Sequence, residues 1–206
     1  MSNVRVRSME GRVRFAHVFT PTDNFNRDGK EKTITLCIPK TANLAVFEKA
    51  RMKAAKDEFN GKVPPALVKI TGGQKPILKD GDEYYETREE EKKPMYESHK
   101  GCWILAVACK PTANLRILDE VGNDMADPAE LYDGCYAEVL INFSCYMSKS
   151  RTGYVGGPIL SRELLVVKKT RDGEPIEAGD AAPLTDEELK KYFGGAASQA
   201  DTVDDL

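Results

Sequence analysis

Polar and apolar side chains alternate along several short stretches of this chain, as they do in a β-strand with one buried face. The strands predicted in this way are Arg12–Phe15, Lys32–Ile38, Leu115–Leu118, Ala137–Cys145 and Leu164–Val167. Cys102–Cys109 is almost wholly apolar instead, which predicts a strand covered on both faces. Within Ala137–Cys145, the odd-numbered residues are predicted to face the core.

Turn-forming segments separate these strands. Thr20–Lys30 is rich in Pro, Asn, Asp and Gly, so the first two strands are predicted to form a hairpin through the Asn24–Gly29 loop. Met147–Gly157 is predicted to be a basic turn, and Arg171–Pro175 a turn that closes the domain. Pro64–Met95 is polar and irregular, and we expect a long excursion there that is either functional or a solvated insertion.

The segment Leu44–Phe59 has apolar residues at helical spacing and predicts one amphipathic helix. Thr41 or Asn43 is predicted to cap its start, and Gly61 follows its end. Because strands dominate and alternating strand–helix units are absent, the pattern predicts a mainly β (α+β) domain with one or two helices. The expected architecture is an OB-like five-stranded β-barrel with long loops.

The charge of the chain is unevenly distributed. The formal net charge of the 206 residues is −3, but residues 177–206 contain eight acidic and two basic residues, which leaves a net charge of +3 on residues 1–176. We therefore predict a mildly basic domain over residues 1–176. Residues 177–206 are predicted to be an acidic C-terminal tail, with a short helix near 186–193 and disorder beyond it. This division is typical of a polyanion-binding domain with an attached competitor for its own site.

Several classes of protein are disfavoured. No run of about 18 apolar residues is present, so no membrane segment is expected. The charged N-terminus lacks the apolar centre of a signal peptide, which predicts a cytoplasmic location. The five cysteines include no CxxC pair, and His17 and His99 lie far apart in sequence. Buried free thiols are therefore expected rather than disulfides or a metal site.

Motifs for catalysis are missing. We find no phosphate-binding loop, no nucleophile elbow and no zinc-protease motif, so the prediction is a non-catalytic protein with no cofactor and no metal. The remaining enzymatic alternative is a metal-dependent nuclease. For that chemistry Glu138 would have to meet Asp82 or Asp119 in the fold.

Basic and aromatic residues are interleaved on the predicted strands and their loops. Binding of single strands without sequence preference needs cations along the phosphates and flat rings on which bases stack. The predicted DNA-binding residues are Arg5, Arg7, Arg12, Arg14, Lys30, Lys32, Trp103, Tyr146, Lys149, Arg151 and Tyr154. Tyr84, Tyr85 and Tyr96 are further stacking candidates, whereas Trp103 also fits a position in the core.

Seven short segments follow one another in a characteristic order along residues 10–180. They are Gly29–Lys32, Ile38–Lys40, Lys79–Glu83, Asp127–Pro128, Tyr132–Tyr136, Ile141–Phe143 and Arg171–Pro175. In this order they resemble a family of bacteriophage single-stranded DNA-binding proteins. The resemblance implies an OB fold, single-strand binding without strong sequence preference, and a role in phage DNA replication or recombination. After Tyr154 the chain departs from the family pattern, because Gly156–Leu160 replaces a more Asn-rich segment.

The resulting hypothesis places DNA across the barrel face, held by the Met147–Gly153 turn and nearby tyrosines. The tail residues Asp201, Asp204, Asp205 and Leu206 are expected to compete with DNA and, once released, to recruit replication or recombination proteins. The alternatives are an OB-fold module for RNA or for a protein, the nuclease, and a structural component of the virion. The oligomeric state stays open, a homo-oligomer included.

Overall fold

The computed structural model describes residues 3–23, 29–67, 77–90, 96–149 and 156–176. The strands in these ranges are β1 (Val4–Arg7), β2 (Gly11–Asp23), β3 (Lys30–Pro39), β4 (Lys79–Asp80), β5 (Cys102–Cys109), β6 (Arg116–Leu118), β7 (Tyr136–Ser148) and β8 (Gly157–Arg171). The helices are α1 (Ala45–Glu58) and α2 (Gly81–Glu90). Short 3-10 helices occupy Pro65–Leu67, Glu97–His99 and Pro128–Glu130.

Five of the strands form a closed ring in the order β2, β3, β5, β8, β7 and back to β2. All neighbours in the ring are antiparallel except β5 and β8, which pair in parallel at Ala108 and Glu163. Outside the ring, β1 extends the pairing of β7, β4 adds to β5, and β6 adds to β8. This mainly β arrangement with two helices confirms the predicted OB-like fold.

The core lies between the strands of the ring. The inward alternation predicted for Ala137–Cys145 is confirmed, since all its odd-numbered residues are fully buried. Helix α1 packs against β1 and β7, and the rings of Phe47 and Phe143 lie 5.8 Å apart. Burial of each large apolar side chain of this kind contributes roughly 1.5–3 kcal/mol to folding.

Helix α1 begins and ends close to the predicted residues. Asn43 accepts a hydrogen bond through Oδ1 from the Ala45 backbone N–H, 3.0 Å away, while the N-cap residue is Leu44, whose side chain makes no capping hydrogen bond. Gly61 has a φ of 83° and follows the last turn. This left-handed conformation carries no steric penalty for glycine.

Helix α2 was not expected, because Pro64–Met95 was predicted to lack regular structure. That prediction is wrong for residues 81–90. Asp80 starts the helix by accepting hydrogen bonds through Oδ1 from the backbone N–H groups of Asp82 and Glu83, at 3.0 and 3.4 Å. Carboxylates in the first turn of a helix also interact favourably with its dipole. The sequence Lys79–Asp82, which lies in the predicted irregular excursion, is therefore a helix start.

The five cysteines are free thiols, as predicted, and all except the half-buried Cys102 are buried. Burial raises the pKa of the Cys37 thiol to about 12 and that of Cys145 to about 11. Both thiols therefore stay protonated at neutral pH and behave as small apolar groups. In the described part of the chain, no helix has the length and apolar character needed to cross a membrane.

Candidate nucleic-acid interface

The outer face of β3 and β5 carries small side chains. Thr33 and Thr35 of β3 pair with Ala108 and Ala106 of β5, and none of the four is buried. Cys102–Cys109 was predicted to be covered on both faces, and this prediction is wrong, since Ala106 is exposed. These two strands are the second and third of the ring, and OB folds bind oligonucleotides on that face.

An aromatic cluster, formed by Phe15, Tyr84, Tyr96 and His99, borders this face. Phe15 is on β2, which is the neighbour of β3 in the ring. The rings of Phe15 and Tyr96 meet edge to face with centroids 5.1 Å apart, and both side chains are half-buried. His99 is buried behind them, 5.2 Å from Tyr96 and 5.6 Å from Tyr84. The cluster thus presents three partly accessible rings, those of Phe15, Tyr84 and Tyr96.

A β-bulge turns Phe15 toward this surface. The register between β2 and β3 shifts after Arg14, and Phe15 has a φ of 52°. A left-handed backbone costs an L-residue roughly 1–2 kcal/mol, so other contacts must stabilise it. Asp133 supplies them, because its Oδ2 accepts from the Phe15 N–H at 3.0 Å and its Oδ1 from the Ala16 N–H at 3.4 Å.

The bulge also buries Arg14, which corrects the prediction that this residue contacts DNA. Its side chain is 1% exposed, and its Nη1 lies 3.7 Å from Asp133 Oδ2. Its Cζ atom lies 4.8 Å from the centroid of Phe15 and 5.4 Å from that of Tyr96. Arg14 is therefore enclosed beneath the aromatic cluster, where cation–π contact partly replaces its lost hydration.

Of the three further predicted arginines, two are on β1, which pairs with β7, and Arg12 is on β2. Arg12 donates to the carbonyl oxygens of Gly134 and Glu174, and so holds the turn after β8 against β2. Arg7 forms an ion pair with Glu138. Arg5 is exposed on β1 opposite Asn142. In the sheet order, β7 and β2 separate β1 from β3, so Arg5 and Arg7 do not share the β3–β5 face.

The remaining predicted residues lie near two loops. Lys30 is exposed beside the β2–β3 loop, and Lys32 donates from Nζ to the carbonyl oxygen of Ala113 at 3.2 Å. The half-buried Tyr146 and the exposed Lys149 lie at the end of β7. In OB folds, the corresponding loops flank the bound oligonucleotide. Arg151, Tyr154 and the tail residues Asp201, Asp204, Asp205 and Leu206 lie outside the described residues.

Trp103 lies on the side of β5 that faces the core, together with Leu105 and Val107. It packs against the core cluster while staying half-exposed, and Lys40 Nζ lies 5.3 Å from its ring centroid. Lys40 in turn binds Asp80 and Asp82 at 2.6 and 2.7 Å. This position favours the core interpretation of Trp103 over base stacking.

The carboxylates considered for a nuclease each have separate partners. Asp82 binds Lys40, Glu138 binds Arg7, and Asp119 accepts from the backbone N–H groups of Gly122 and Asn123. Among the described residues, no group of three or more His, Cys, Asp or Glu side chains is placed to hold a metal ion.

Sequence reasoning did not single out Phe15 as a candidate interface residue. The alternation in Arg12–Phe15 assigned Phe15 to the same face as the buried Val13 and left Arg14 exposed, which is the reverse of the structure. At the bulge that exchanges them, the Phe15 N–H donates to Asp133, which is 118 positions away in the sequence. No local pattern carries that information.

Comparison with known proteins identifies related molecules. Residues 4–197 match the family model described as the single-stranded DNA-binding protein of Enterobacter phage Enc34. A search of curated protein sequences found no match. Among solved structures, the Enc34 single-stranded DNA-binding protein in complex with single-stranded DNA is similar, with a TM-score of 0.59 and 19% identity over 84% of this chain and 90% of that one.

A second solved structure, gp2.5, is a single-stranded DNA-binding protein encoded by bacteriophage T7. It aligns with a TM-score of 0.50 and 13% identity over 99% of this chain and 100% of that one. At these identities the structural similarities establish the fold.

Proposed function

This chain belongs to the family of single-stranded DNA-binding proteins represented by that of Enterobacter phage Enc34, and on that premise we propose that it binds single-stranded DNA without catalysing a reaction on it. The binding is largely independent of base sequence. It serves phage DNA replication or recombination in the cytoplasm of the infected host cell.

The observation that carries this proposal is the partial exposure of Phe15 and Tyr96, with Phe15 on the strand next to β3. Rings that stay partly accessible near small side chains leave room for a base to stack on them. Stacking of this kind contributes about 1–3 kcal/mol per base and tolerates every base, because all four have a π-face. Sequence-independent binding follows from that tolerance.

Cations near the loops supply the second requirement. Lys30 beside the β2–β3 loop and Lys149 at the end of β7 are exposed, and both neighbour loops that flank oligonucleotides in OB folds. The prediction that Arg151 and Tyr154 extend this site stays a proposal. Contacts between lysine and phosphate release counterions, so affinity falls as salt concentration rises.

The acidic tail is proposed to regulate the site. Residues 177–206 carry a net charge of −6 against +3 on the rest of the chain. We expect the carboxylates of Asp201, Asp204 and Asp205 to compete with DNA phosphates for the basic surface. DNA binding then releases the tail, with the terminal Leu206, to replication or recombination proteins.

The proposal is tested by the affinity of the wild type and of single variants for a fluorescent dT oligomer. Phe15→Ala and Tyr96→Ala should each weaken binding about 5- to 150-fold, the equivalent of one lost base stack. The matched control is Phe19→Ala, because Phe19 is on the same strand and is 37% exposed but lies outside the aromatic cluster. Equal affinities for all four proteins would refute this placement of the site.

A further inference from the structure

The conformation of Phe15 depends on a contact outside its own strand. Asp133 follows Tyr132 in the loop before β7, and both its oxygens accept backbone N–H groups of the bulge, from Phe15 at 3.0 Å and Ala16 at 3.4 Å. The loop itself is held to β2, because Gly134 N–H donates to the Val13 carbonyl at 2.9 Å. The carboxylate is thus fixed relative to the strand that it bends.

Arg14 joins the same arrangement from below. Its guanidinium contacts the faces of both Phe15 and Tyr96, at 4.8 and 5.4 Å, and approaches Asp133 at 3.7 Å. A planar cation in contact with two rings restricts the angle between them, here 72°. Since Arg14 is buried, its charge acts on the rings and on Asp133 rather than on solvent.

We propose that Asp133 and Arg14 are positioning residues for single-strand binding, which act by holding Phe15 in the left-handed conformation that presents its ring to a base. This inference rests on the proposed function of the Phe15–Tyr96 pair. Asp133 and Arg14 then affect the affinity for DNA although neither of them contacts DNA. Without them, the bulge relaxes and Phe15 returns to the inward side that its sequence position favours.

A double-mutant cycle tests the proposal, because residues that act through one another have non-additive effects. Phe15→Ala, Asp133→Asn and the double variant are compared with the wild type for affinity to a fluorescent dT oligomer and for thermal midpoint. We expect Asp133→Asn to weaken binding about 3- to 10-fold in the wild type and less than twofold in the Phe15→Ala background. A purely structural role would give the same loss in both backgrounds and would overturn the proposal.

Two further variants complete the experiment. Asp119→Asn is the matched control, because Asp119 also accepts two backbone N–H groups of a turn, at 2.7 and 2.8 Å, and its change should leave affinity at the wild-type value. Arg14→Lys keeps the positive charge but removes the planar guanidinium. It replaces Asp133→Asn in the cycle if Asp133→Asn does not fold, and we expect the same non-additivity with Phe15→Ala. If the wild type binds and neither Asp133→Asn nor Arg14→Lys changes its affinity, only the positioning role is refuted. If the wild type does not bind, the proposed function is refuted as well.

Discussion

The backbone of Gly81 lies against the carbonyl oxygen of His99, so closely that a Cβ at position 81 would stand 2.0 Å from it. The same Cβ would lie 2.7 Å from the carbonyl oxygen of Cys102. Only glycine fits there, and the contact fixes the start of α2 against the 3-10 helix Glu97–His99. Tyr96, which immediately precedes this 3-10 helix, is thereby held in place as well.

We expect Gly81→Ala to displace the 3-10 helix Glu97–His99. The free energy of unfolding should fall by about 1–3 kcal/mol, the usual cost of overpacking, and affinity for single-stranded DNA should fall because Tyr96 moves. Urea unfolding and dT-oligomer binding measure the two effects. Gly157→Ala is the control, since a Cβ there meets nothing within 4 Å. An unchanged unfolding free energy for Gly81→Ala would contradict the packing described for α2.

The Lys40–Asp80 contact predicts a pH dependence of stability. Burial raises the pKa of the Asp80 carboxyl, but hydrogen bonds from Lys40 and from two backbone N–H groups outweigh it and lower the pKa below 3.8. A carboxyl whose pKa is lower in the folded state stabilises the fold above its unfolded pKa, and this contribution is lost as pH falls.

Unfolding free energy measured in urea should therefore decrease as the pH is lowered from 5 through about 3. Asp80→Asn should flatten that decrease, because asparagine does not titrate. Asp57→Asn serves as the control, since it removes only an exposed helical ion pair with Lys53. A curve for Asp80→Asn that runs parallel to the wild type would exclude this carboxyl as a source of the pH dependence.

Removal of the last twelve residues of the acidic tail should strengthen DNA binding. Deletion of residues 195–206 is expected to tighten the complex with a dT oligomer, most at low salt, where screening of the competing carboxylates is weakest. The undeleted protein with Asp201→Asn, Asp204→Asn and Asp205→Asn together should reproduce the effect, which separates the charge of the tail from its length. Equal affinities for deleted and full-length protein at low salt would count against competition by the tail.

The ring strands could be predicted because their signal is local. In Ile34–Ile38 of β3 and Ala137–Cys145 of β7, every second side chain is buried in the core, and the alternation is visible in the sequence itself. The last strand is longer than the predicted Leu164–Val167, since β8 pairs with β7 from Gly157 to Arg171. Pairing with β7 stabilises the flanking residues of β8, whose sequence shows little strand pattern.

The candidate site was less predictable because its geometry depends on distant contacts. Arg14 and Phe15 have exchanged their expected environments at a bulge whose backbone donates to the distant Asp133. Helix α2 forms where Asp80 accepts from the first backbone N–H groups of a segment with many polar residues. Composition did indicate basic and aromatic binding chemistry. It could not indicate which ring faces the open surface, since that is decided by one bulge in β2.

Binding of a fluorescent dT oligomer, compared with a duplex of the same length across a salt series, tests the central claim most directly. The account predicts tighter binding to the single strand, an affinity that falls linearly with salt on logarithmic axes, and an oligomer that remains intact. No polarisation change with the dT oligomer at low salt, even for protein lacking residues 195–206, would contradict it.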